Sequence, residues 1–230
     1  MEPEIIYEDD SFFVINKPAG WIVNESSTTK GQPVLQTWLR KFEYPLVNDI
    51  ASRHGIVHRL DKETSGVLII AKNKDSFDKL QAEFKDREVK KTYIGLVHGR
   101  IDEGGEVDAP IGRLPWRRDR FGIVAGGRNS LTFYKPIKFY KGERGGCTLM
   151  EFSPKTGRTH QIRVHSRYIG HAILSDEFYA GRKTARNDRQ FCPRLFLHAA
   201  SIEFIHPVSG KTVKFEAPLP KDLEKVLQNL

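Results

Sequence analysis

The chain has 230 residues, 39% of them hydrophobic, which supplies enough apolar surface for a sizeable core and argues against a disordered chain. Lys and Arg number 37 against 29 Asp and Glu, and the resulting formal charge of +8 points to nucleic acid or another anionic partner. Only two cysteines occur, Cys147 and Cys192, neither in a C-x-x-C pair, and the acidic start at 1–4 opens no long apolar run; a disulfide framework, a zinc cage, a secretory leader and a membrane span are all disfavoured, and the expected compartment is the cytoplasm.

Residues 4–7 and 12–16 read as two short strands parted by Asp9-Asp10, and Lys17-Pro18-Ala19-Gly20 stops the second. Residues 31–42 read as a helix with Val34, Leu35, Trp38, Leu39 and Phe42 on one face and Pro33 in its first turn. The run 67–71 is a buried strand, and 76–87 is a helix capped by Asp75 with Phe77, Leu80 and Phe84 as its stripe. Residues 90–99 alternate like a strand. Residues 131–140 and 146–152 form an antiparallel pair around the charged, Gly-rich turn 141–145. A helix follows at 160–168, closed by Gly170; strands follow at 201–205 and 212–215, and a last helix runs 223–230 from a start at Asp222.

Two segments read as basic loops: 113–128, with Trp116, Arg117, Arg118, Arg120 and Phe121, and 182–194, with Arg182, Lys183, Arg186 and Arg189. There is no repeat and no Ser/Pro-rich linker. Strands outnumber helices, so the expectation is one α+β domain over 1–230, a mixed, largely antiparallel sheet flanked by helices.

Three constellations could carry chemistry. His58-Arg59-Leu60-Asp61-Lys62-Glu63-Thr64-Ser65-Gly66 sets one carboxylate beside a basic pair at the entrance to the strand 67–71. A lone Asp in a turn is usually a cap, but an ionised one that is buried or catalytic needs a cation nearby. Thr156 to His165 crowds Arg158, His160, Gln161, Arg163 and His165 into a turn and a helix start, which suits phosphate or carboxylate, or else is a solvated charged face. In Lys91-Thr92-Tyr93-Ile94-Gly95 the alternation puts Lys91, Tyr93, Gly95 and Val97 on one face, and on that ground alone Tyr93 reads as core. His54 and His58 stand four apart like zinc ligands, but Gly55 and the β-branched Ile56-Val57 break that helix; P-loop, dinucleotide and nucleophile-elbow patterns are absent.

Taken in order, 58–66, 91–99 and 155–165, with Ile5 to Asp9, Asn16 to Gly20, Leu195 to Ala199, His206-Pro207 and Ala217 to Pro220, resemble the RluA-type pseudouridine synthases over nearly the whole chain. The resemblance implies the pseudouridine synthase fold and an isomerase that converts uridine to pseudouridine in structured ribosomal or transfer RNA. It also implies a cofactor-free and metal-free monomer, like the shorter family members without an N-terminal RNA-binding module. It makes Asp61 the catalytic aspartate, Arg163 its partner, and Tyr93 an active-site residue instead of core. Arg59 becomes the side chain that displaces the target base. With RNA as substrate, His58, Arg158 and His160 are expected RNA-binding residues, and the two basic segments, of which 113–128 fits the family pattern poorly, offer Arg117, Arg118, Arg120, Arg182, Lys183 and Arg186 as phosphate contacts. Gly95 stands where the family often has Ala, and Asn24 where a His is frequent. Rival readings are a non-catalytic RNA-binding or chaperone protein on the same fold, and a metal-dependent nuclease using His58, Asp61, His160 and His165.

Overall fold

The computed structural model describes residues 1–115, 117–142 and 145–230, with Arg118 described by its backbone alone. In chain order its main elements are β1 (Glu4–Glu8), β2 (Phe12–Lys17), α1 (Leu35–Leu39), β3 (Ser65–Ala71), α2 (Lys74–Asp86), β4 (Lys90–His98), β5 (Gly105–Asp108), β6 (Ile111–Leu114), β7 (Arg117–Ile123), β8 (Leu131–Tyr140), β9 (Cys147–Pro154), α3 (Gln161–Tyr168), α4 (Arg182–Asp188), β10 (Leu197–Ile205), β11 (Thr212–Glu216) and α5 (Lys221–Gln228). The class is α+β on mixed, largely antiparallel sheet. Two compact units form, one from Met1–Lys90 with Ala199–Pro218, the other from Lys91–His198 with Leu219–Leu230.

In the first unit the strand order is β1-β2-β3-β10, with β11 on β10. Every residue of β3 is buried, which is why its sequence runs apolar without alternation. β2 pairs with it from Phe12↔Ala71 to Lys17↔Gly66. An aromatic cluster of Tyr7, Phe12, Phe204 and Phe215 fills one side, ring centroids 4.7–5.9 Å apart. Helix α2 is capped by Asn73, whose side chain accepts from the Ser76 N–H at 3.0 Å, and not by Asp75, which sits inside the first turn where its charge suits the helix dipole. Helix α1 is far shorter than 31–42. Val34 is extended (φ −122°), so Pro33 precedes the helix and does not open it. Phe42 still reaches Trp38, at 4.7 Å between centroids, from outside the helix.

The second unit orders its strands β4-β9-β8-β5, all antiparallel, beside a separate β6-β7 ribbon. Its core gathers Leu96, Met150, Phe152, Ile162, Ile173, Leu174, Phe196 and Leu223. Both segments read as basic loops contain regular elements. Strands β6 and β7 pair antiparallel, with Ile111↔Ile123 and Arg113↔Phe121 in register; the many arginines mask the strand alternation. Residues 182–188 form α4, which buries Ala185 and Asp188 and leaves Arg182, Lys183 and Arg186 outside. The Trp116 expectation, the Arg118 side chain and part of the 141–145 turn lie outside the described residues. Helix α3 starts at Gln161 because His160 is left-handed (φ +57°), and α5 starts at Lys221, one residue ahead of Asp222.

Candidate active site

The backbone of the Asp61 segment is held at several points. The Thr64 N–H donates to the Asp61 carbonyl at 3.1 Å and closes a turn. The Lys62 carbonyl accepts from the Gly20 N–H at 2.8 Å and from Lys17 Nζ at 3.3 Å. Lys17 is fully buried, and its ammonium also donates to the carbonyls of Pro18 (2.9 Å) and Trp21 (3.0 Å). Lys17-Pro18-Ala19-Gly20, which sequence reading took as a strand stop and as part of the family resemblance, is thus the clamp on the Asp61 turn. A lysine closing an otherwise apolar strand was the available signal. Asp61 itself is half-buried and Arg59 is exposed.

Gly66 follows at φ +119°, and a β-carbon there would lie 2.1 Å from the Ala199 carbonyl oxygen; only glycine fits. His58 belongs to this scaffold too. Its Nε2 accepts from the Ile69 N–H at 2.9 Å and its ring stacks on Phe84 at 4.7 Å, so at least one face and one nitrogen of the proposed RNA contact serve the fold.

Tyr93 lies on β4 opposite Phe152, half-buried against the edge of the second unit's core. The core reading therefore described part of its surface. A β-carbon on Gly95 would approach Phe152 to 2.9 Å, so this chain has filled with a phenyl ring the space an Ala methyl would need. Burial and repulsion from Lys155 pull the pKa of Lys91 down to about 8.

Arg163, on α3, is buried, and its planar fork engages Asp176: Nε donates to Oδ2 at 2.7 Å and Nη2 to Oδ1 at 2.9 Å. The guanidinium carbon lies 5.0 Å from the Tyr179 ring centroid and 5.5 Å from that of Phe178. Sequence reading passed over Asp176. Nothing in local spacing connects it to an arginine thirteen residues earlier.

Other members of the 156–165 cluster brace the fold. Gln161 accepts from the Arg158 N–H and the Thr156 hydroxyl, and donates to the Leu131 carbonyl and Thr132 Oγ1. Buried His165 donates from Nε2 to the Ala109 carbonyl at 3.1 Å and accepts at Nδ1 from Thr132 at 2.9 Å. Burial holds its pKa below the usual range, so the ring is neutral. With both nitrogens engaged it cannot serve the nuclease reading. Arg158 donates from Nε and Nη2 to the Asn129 carbonyl, each at 3.2 Å, and His160 Nδ1 meets the Tyr179 hydroxyl at 2.8 Å.

Among the basic residues, Arg120 is drawn inward, donating to the Phe178 carbonyl at 2.7 Å. Arg117 is exposed beside Asp119, Arg182 lies 3.7 Å from Glu177, and Lys183 is exposed. Asp61, Arg59 and His58 belong to the first unit; Tyr93, Arg163 and the remaining candidates belong to the second.

The family model described as RNA pseudouridylate synthase matches residues 11–168. The chain belongs to this family. As an RNA pseudouridylate synthase it is an isomerase that converts uridine to pseudouridine in RNA. Among curated relatives it is 37% identical to the ribosomal large subunit pseudouridine synthase D of Pseudomonas aeruginosa, over 96% of this chain and 70% of that one. It is likewise 37% identical to the uncharacterized RNA pseudouridine synthase YlyB of Bacillus subtilis, over 100% of this chain and 73% of that one. Among solved structures, human RNA pseudouridylate synthase domain containing 1 superposes with a TM-score of 0.74 at 28% identity, covering 95% of this chain and 84% of that one. Domain containing 4 shares the fold, with a TM-score of 0.71 at 24% identity, covering 97% of this chain and 91% of that one. No helix among the described residues of this synthase is long and apolar enough to cross a membrane.

Proposed function

We propose that Asp61 is the residue on which the isomerisation turns, with Arg163 keeping the reacting groups charged and aimed and Tyr93 packing on the uracil. The observation that carries this is the clamped turn: a half-buried carboxylate on a segment whose next carbonyl is gripped by a buried ammonium and a backbone N–H. Such preorganisation suits a group that must meet one ribose or base atom in one orientation. The reaction breaks the N1–C1′ bond, turns the base and forms C5–C1′. The C5 proton is lost and N1 regains one, so no oxidant, reductant or water is consumed. Asp61 serves either as nucleophile or as base.

The proposed substrate is a structured RNA, ribosomal or transfer, since relatives carry a large-subunit ribosomal name. The uridine must leave its stack, at a cost of a few kcal/mol, and Arg59 fills the gap. His58, Arg158 and His160 flank the RNA, while Arg117, Arg118, Arg120, Arg182 and Lys183 meet its phosphates. In this reading residues 1–230 act as one catalytic domain, a cytoplasmic monomer that needs no cofactor. Asp61→Asn is expected to slow turnover by about 10³-fold or more while circular dichroism and RNA affinity stay near wild type. The test is a chemical map of pseudouridine in total RNA from cells carrying the gene, the Asn variant, or neither. A site lost in the last two names the substrate, and a site retained with the variant removes Asp61 from its role.

A further inference from the structure

The second unit holds a buried carboxylate that the catalytic reading does not use. Asp176 has no exposed side-chain surface and grips Arg163 by the side edge of the guanidinium, Nε and Nη2. Held this way, the arginine presents its end-on edge, Nη1 and the outer N–H of Nη2, to whatever it serves. The same Oδ1 accepts the N–H groups of Phe178 (3.0 Å) and Tyr179 (3.2 Å), and the Asp176 carbonyl accepts that of Ala180 (2.9 Å). One carboxylate therefore fixes both the guanidinium and the two rings that flank it.

The turn is in turn anchored to the β6-β7 ribbon. The Tyr179 hydroxyl meets His160 Nδ1 at 2.8 Å and the Phe121 N–H at 3.4 Å, and Arg120 donates to the Phe178 carbonyl. All of residues 176–179 fall beyond the stretch matched by the family model. A bond network of this density around one side chain leaves its rotamer no freedom.

We infer that Asp176 is a positioning residue for the isomerisation: it sets the edge that Arg163 offers and, through Phe178 and Tyr179, ties that orientation to the basic ribbon. The inference rests on the reading that Arg163 works at the uridine. A bond between two buried groups can also serve stability alone, so the test separates the two roles.

Total RNA from cells lacking the gene, labelled with tritium at uridine C5, releases tritium as pseudouridine forms. Single-turnover release at saturating enzyme is compared for wild type, Arg163→Gln, Asp176→Asn and the double variant, at a temperature where circular dichroism shows each folded. The expected result is a fall of about 10²-fold for Asp176→Asn, with the half-saturating enzyme concentration little changed. In the Arg163→Gln background the same substitution is expected to change the rate by less than about threefold. Wild-type release by Asp176→Asn while Arg163→Gln is slow overturns the inference and leaves the role of Arg163 standing. An equal loss in both backgrounds also overturns it, because Asp176 would then act through the fold. Wild-type release by Arg163→Gln overturns the underlying reading instead. If the Asn variant does not fold, Asp176→Glu carries the test: it keeps the charge, shifts the oxygens by one methylene, and is expected to lower the rate in the Arg163 background only.

Discussion

The turn bearing Asp61 is fixed by main-chain carbonyls gathered on a buried ammonium, whereas Arg163 is fixed by a side-chain carboxylate and two aromatic rings. The first arrangement acts on the backbone that carries the carboxylate, so residues that shape the chain path bear on it: Lys17, Gly20 and Gly66. The second places the guanidinium through side chains, so its orientation can be altered without redirecting the backbone of α3, which carries Arg163. A backbone clamp should fail in stability and activity together. A side-chain clamp should let the two be separated.

The sharpest way to break the first clamp is Gly66→Ala. The added methyl meets a backbone carbonyl at 2.1 Å in a left-handed segment, and a loss of about 3 kcal/mol or more is expected. Urea unfolding measures it, and an unshifted midpoint would show that the strand can move aside. Lys17→Met comes next. It keeps the apolar stem and strips a buried, charged donor from three carbonyls, for an expected cost of about 2 kcal/mol with turnover falling alongside. Turnover unaffected by that loss would mean the Asp61 turn does not depend on its clamp.

Smaller effects sharpen the contrast from the second unit's exposed surface. Alanine at both Arg182 and Lys183 should leave the melting temperature unmoved, weaken RNA binding at low salt and reduce the salt slope by about 1 to 2. An unchanged slope removes α4 from the RNA footprint. The least effect concerns Lys91. Its folded pKa near 8 lies below the ordinary 10.5, so the stability this residue permits is complete above 10.5 and is lost as pH falls through 8. Lys91→Met should therefore melt higher than the parent at pH 7, and the gain should close between those two values; a gain that does not vary with pH would refute the burial.

Much of the fold was legible because hydrophobic periodicity is local. Strands β2, β3, β4, β8 and β9 fall close to where alternation or an apolar run placed them. The misses have physical causes. α1 is cut short by the extended Val34. The cap of α2 passes from Asp75 to Asn73, both plausible by type. The β6-β7 ribbon and α4 were hidden by arginine-rich composition, which says loop although strand and helix expose charge equally well. Of the proposed site, Asp61, Tyr93 and Arg163 were found through motifs, while the roles of Lys17 and Asp176 were not. Their partners lie far along the chain or around a turn, where spacing carries no signal.

By itself the sequence determined the family, the basic charge, the apolar strands and the position of the acid before β3, because each is written in contiguous residues and their order. Only the tertiary structure decided how the reactive groups are held. Whether a lysine ammonium ends in water or on three carbonyls, and whether an aspartate lies idle or grips an arginine, depends on which distant backbone and side-chain atoms folding removes from water together.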